Sequence, residues 1–121
     1  MSTESDDALA EQLRQLRREY LADSALRVEE LRRLYARFAD GEPAVLPELR
    51  QAFHRLAGSG GSYGFPLVST RSREGERLAV RLAAADVTAA PADLVSLRAC
   101  VEAVAHAFAE AVDALNTENL G

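Results

Sequence analysis

Tryptophan is absent from the 121-residue chain and cysteine occurs once. With apolar residues at 48%, dominated by alanine and leucine, that inventory favours small-residue packing between helices over a sheet or sandwich. An all-α fold is expected. No uninterrupted apolar run approaches the roughly 20 residues needed to span a bilayer, so no membrane partner is expected. An excess of basic charge is also missing: the net charge is -5, which gives no general attraction for nucleic acid or an anionic membrane. The lone Cys100 cannot form a disulfide within the chain, and the acidic start Ser2-Thr3-Glu4-Ser5-Asp6-Asp7 is the opposite of the basic opening of a signal peptide. The cytoplasm is the expected compartment. Nor is there a Gly-rich nucleotide loop or an acidic metal constellation, so neither autonomous ATP-dependent chemistry nor a cofactor of the chain's own is expected.

What is present is helical periodicity in a chain of single-domain length, read as one domain over residues 1–121 with a core bundle over about 24–115. Punctuation at Gly41-Glu42-Pro43, Gly64-Phe65-Pro66 and Thr88 to Pro91 separates five segments. The first, Asp7 to Leu21, carries Leu13, Leu16 and Tyr20 at helical spacing and is expected to cap the bundle. The second, Ser24 to Phe38, aligns Val28, Leu31, Leu34, Tyr35 and Phe38 on one stripe. The fourth, Phe65 to Ala84, is interrupted by the polar stretch Ser69 to Gly75, whose glycine costs about 1 kcal/mol in a helix interior. The fifth, Ala92 to Leu115, repeats apolar residues from Leu94 to Leu115 in the three-and-four alternation of a long bundle helix.

The third segment, Pro47 to Tyr63, carries the chemistry. At about 100° per residue, Leu49, Ala52, Leu56, Gly60 and Tyr63 share one apolar sector and His54 lies nearly opposite. The helical neighbours of His54 are Arg50, Ala57, Gly58 and Gly61, three of them with little or no side chain, so the imidazole is expected to stand exposed. Gly58, Gly60 and Gly61 together forfeit roughly 2 to 3 kcal/mol of intrinsic helicity. Close approach of another body is the compensation a helix can draw from glycine: a neighbouring helix at Gly60, and a partner reaching His54 over Gly58 and Gly61. The alternative is a helix that ends at Ala57 and a plain loop from Gly58 to Gly64.

The run His54-Arg55-Leu56-Ala57-Gly58-Ser59-Gly60-Gly61-Ser62-Tyr63-Gly64 resembles the signature of the histidine-containing phosphotransfer (HPt) domain. In that family the phospho-accepting histidine is followed by leucine at two, lysine at three, and glycines at four and ten positions. Only the lysine is missing, replaced by Ala57. The resemblance implies an up-down four-helix bundle with an additional N-terminal helix and a phosphoryl group carried on His54. It implies a relay that accepts phosphate from one receiver-domain aspartate and passes it to another, without kinase activity of its own. Receiver domains of response regulators or hybrid histidine kinases would be the partners, and Mg²⁺ would come from the receiver. The run also resembles HPt modules of bacterial signalling proteins that contain receiver or cyclic-dinucleotide domains.

Arg50, one turn before His54, and Arg55 on its flank are the candidates for the missing cation, beside Ala57, Gly58 and Gly61 as partner-contact positions. Arg71, Ser72 and Gly75 depart from the family's usual apolar or small residues and predict looser packing of the fourth helix. A neutral imidazole is a good nucleophile near pH 7, and the phosphoramidate it forms stays reactive. The rival to a relay is a degenerate helical docking or adaptor module without phosphotransfer, suggested by Ala57. His106, Cys100, Tyr35 and Tyr63 have structural readings: a boundary histidine, a small buried residue and core-edge aromatics. The expected state is a monomer.

Overall fold

A computed structural model describes residues 3–85 and 89–120. Five α-helices follow one another: α1 (Thr3–Ala22), α2 (Ser24–Ala39), α3 (Leu46–Ser62), α4 (Pro66–Ala84) and α5 (Pro91–Leu120), with a 3-10 turn at Pro43–Val45 leading into α3. No strand occurs among the described residues. Helices α2 to α5 form the four-helix bundle, and α1 is the additional N-terminal helix, separated from α2 by Asp23 alone.

The expected stripes of α2 to α5 supply the core, except that Tyr63 at the end of the α3 sector stays 37% exposed. Leu31, Leu34, Leu49, Phe53, Leu97, Val104 and Phe108 are 2% exposed or less, each adding about 1.5–3 kcal/mol by leaving water. On the outside, Arg32 of α2 grips Glu102 of α5 through Nε and Nη2 at 3.0 and 2.8 Å. Hydrogen bonding to Arg32 holds the Glu102 carboxyl below its ordinary range. Both side chains are about half exposed, so the pair fixes alignment more than it adds stability.

Two glycines end helices at positive φ, Gly41 at 96° and Gly64 at 85°. At the second, Phe65 N–H donates to the Gly60 carbonyl at 2.7 Å and Gly64 N–H to that of Gly61 at 3.2 Å, a Schellman closure. Pro66 then opens α4 where a helix needs no N–H donor. This tight reversal lays α4 antiparallel along α3. The break expected near Thr88 falls partly outside the described residues; α5 begins at Pro91, and the Asp93 carboxylate accepts from Ala90 N–H at 2.9 Å.

Two expectations are corrected. The fourth helix is continuous through Gly75 and packs closely, not loosely. A Cβ on Gly75 would lie 2.5 Å from Phe53 Cζ, and one on Gly60 would lie 2.9 Å from Val68 Cγ1. Small residues let the two backbones approach, and contact between α3 and α4 outweighs the lost helix propensity. The first helix caps the bundle only with its last turn: Tyr20 and Leu21 are buried, whereas Leu13 and Leu16 remain 48% and 46% exposed.

Candidate functional site

Helix α3 runs unbroken to Ser62, which removes the loop alternative for Gly58 to Ser62. Its C-terminal end is pinned from α1. Tyr20 stacks on Tyr63 with ring centroids 4.5 Å apart, Tyr20 Oη and Ser59 Oγ share a 2.7 Å hydrogen bond, and Arg17 Nε donates to the Tyr63 carbonyl at 3.1 Å. A helix weakened by glycines is thus held from outside at the end where those glycines cluster.

His54 stands on the outer face of α3 with 62% of its side chain in solvent. Its Nδ1 lies 2.7 Å from Oε2 of Glu76 on α4. An ionised carboxylate can only accept, so the proton of a neutral His54 sits on Nδ1 and the lone pair on Nε2. Among the described residues Nε2 has no partner. Glu76 itself is only 20% exposed in its side chain, and the same Oε2 receives Arg50 Nη1 at 3.4 Å. The carboxylate is thus shared between a ring it orients and a cation that balances it.

The expected site residues separate into three groups. Arg50, Gly58 and Gly61 lie on the His54 side of α3, exposed as expected. A side chain at Gly58 would meet nothing within 4 Å, and one at Gly61 would touch only Ser69. Arg55 is exposed but faces the other flank, in a shallow cleft with Asp23, Leu26 and Glu30 of the α1–α2 junction and α2. Ala57 is the correction: it is 4% exposed, tucked under α4, and its carbonyl accepts from Ser69 Oγ at 2.7 Å. Its position three residues after His54 turns it toward the α3–α4 seam, not toward a partner.

Two residues escaped the sequence reading. Glu76 and Arg73 belong to α4, in and beside the polar stretch that interrupts its apolar pattern. The signal was the hairpin itself: His54 and Glu76 lie nearly equidistant from the Gly64–Phe65 turn, so antiparallel helices bring them level. Arg73 is exposed one turn before Glu76 and one turn after Ser69, which touches Ala57. Steps of three and four residues put Arg73 on the α4 face that carries Glu76 and Ser69. Among the described residues it has no ion-pair partner. His106 is exposed beside Glu110 at 3.5 Å, and Cys100 is half-buried.

The site is thus an exposed histidine on a glycine-rich helix of a four-helix bundle, oriented from α4 and open to solvent on its Nε2 side. The chain matches the family model of the Hpt domain over residues 7–107 and belongs to that family. Hpt domains serve histidine phosphotransfer in two-component signalling, act as carriers and not kinases, and interact with receiver domains. No curated protein and no solved structure matches the chain. No helix among the described residues is long and apolar enough to cross a membrane.

Proposed function

We propose that this chain is a phosphorelay intermediate that takes a phosphoryl group from the aspartyl phosphate of one receiver domain onto Nε2 of His54 and passes it to the aspartate of another. The observation that supports it most is the 2.7 Å contact between His54 Nδ1 and Glu76, which leaves Nε2 as the lone-pair nitrogen on an exposed ring.

In the first transfer the Nε2 lone pair forms the N–P bond as the P–O bond of the aspartyl phosphate breaks, and the aspartate leaves as a carboxylate. No proton has to be removed, because Nδ1 keeps its own. The ring becomes cationic, and the Glu76 carboxylate beside Nδ1 balances that charge. In the second transfer a receiver carboxylate attacks phosphorus and the N–P electron pair returns to Nε2. Arg73 takes the place of the cation absent at Ala57, because Arg50 is engaged on the Nδ1 side and Arg55 faces another flank. Mg²⁺ held by the partner receiver would supply the remaining charge neutralisation on the phosphoryl oxygens.

Incubation with phosphorylated receiver domains tests the reading. An acid-labile, alkali-stable adduct is expected, absent in His54→Gln and absent with ATP and Mg²⁺ alone. Labelling that persists in His54→Gln, or none with any receiver, overturns the relay, the latter in favour of a docking module.

A further inference from the structure

Helix α1 is anchored only at its C-terminal end. From Thr3 to Glu19 none of its residues is buried. Leu9, Leu13 and Leu16 are 58%, 48% and 46% exposed, and with the buried Tyr20 they recur at alternating steps of four and three residues. That is the seam of a two-helix coil, an apolar stripe that water-exposed helices do not keep without a partner. Its charge is sorted along its length. Glu4, Asp6, Asp7 and Glu11 lie in the N-terminal half, and Arg14, Arg17 and Arg18 lie in the C-terminal half with Glu19 as the single exception. Among the described residues Glu11 is ion-paired at 2.9 Å from both Arg14 and Arg18, whereas Glu4, Asp6 and Asp7 have no ion-pair partner.

We propose that α1 pairs with α1 of a second copy of this chain, antiparallel, with the two-fold axis near Leu13. The exposed leucine stripe then closes on itself, and the acidic half of each helix lies against the arginine half of the other. A parallel pair would set acid beside acid and arginine beside arginine. Opposed helix dipoles favour the same orientation. Such a dimer departs from the expected monomer, in which every apolar stripe had a buried face within one chain. The arm leaves the bundle at the Tyr63 end of α3, which Arg17 touches, about 13 Å along that helix from His54. The pairing stands whether or not His54 carries phosphate.

Sedimentation equilibrium of the full chain from low micromolar to near-millimolar concentration is expected to show the mass rising from 13.1 kDa to twice that value. Leu13→Glu with Leu16→Glu should weaken association by about tenfold or more and keep the helical circular dichroism of the bundle, since both positions are half exposed already. Orientation is read by spin labels on Ser5→Cys in a Cys100→Ser background. Antiparallel helices place them about 25 Å apart, parallel ones about 10 Å. A single-chain mass at every concentration, a dimer indifferent to the leucine variants, or the short label distance overturns the proposal.

Discussion

Nδ1 of His54 and Oε2 of Glu76 lie 2.7 Å apart although the two residues are 22 positions distant in sequence. One carboxylate on α4 thereby sets the tautomer and the direction of a ring on α3. Loss of that contact lets the ring rotate and moves the proton to either nitrogen. Glu76→Ala is expected to slow phosphoryl transfer to His54 about tenfold, the effect of roughly 1.4 kcal/mol on a barrier. Stopped transfer reactions with a phosphorylated receiver, compared at equal circular dichroism, give the rate. An unchanged rate in a folded variant would remove Glu76 from the site.

The cation is separable from the orienting carboxylate. Arg73→Ala is expected to slow transfer or shorten phosphohistidine lifetime about fivefold, an effect of roughly 1 kcal/mol at an exposed position. Arg55→Ala should leave both unchanged. Lysine at position 57 would have to push its stem out from beneath α4, so Ala57→Lys should cost about 1–3 kcal/mol of stability and give no faster transfer. Phosphohistidine decay and thermal melts on the same proteins decide; a faster, equally stable Ala57→Lys would contradict the placement of that residue.

The glycines of the α3–α4 hairpin divide by what surrounds them. Gly58 has open space around it and no positive φ, so Gly58→Gln should keep stability or raise it by about several tenths of a kcal/mol and yet block receiver access to His54. Gly60→Ala meets Val68 and the Ser69 backbone nitrogen at 3.1 Å, and Gly75→Ala meets the Phe53 ring; each should cost about 1–3 kcal/mol. Melting curves beside transfer assays separate docking from packing, and a destabilised Gly58→Gln that still transfers would reverse the assignment.

Burial, and then the negative charge of Glu74, pushes the Cys100 thiol above its ordinary range against the opposing pull of Arg81. A raised thiol pKa means less thiolate at a given pH, so alkylation of Cys100 near pH 8 should be several-fold slower in the folded chain than in denaturant. Equal rates in the two states would show that the thiol is neither buried nor perturbed.

The sequence by itself determined the helices, their order and the exposed histidine. Stripes such as Val28, Leu31, Leu34 and Phe38, and leucines spaced along α5, state a 3.6-residue period directly, and His54 lies opposite the apolar sector of its own helix by the same arithmetic. Glycines followed by Pro43 and Pro66 marked the reversals, because positive φ and a missing N–H donor are properties of single residues. Only the tertiary structure decided what crosses between helices. It brought Glu76 to His54, buried Ala57 beneath Ser69, seated the Phe53 ring on Gly75 and left Leu13 and Leu16 in the open. A helical wheel gives the direction of a side chain about one axis. Which neighbour stands there depends on the crossing and register of the packed pair, and in α3 and α4 the close approach of small residues sets both.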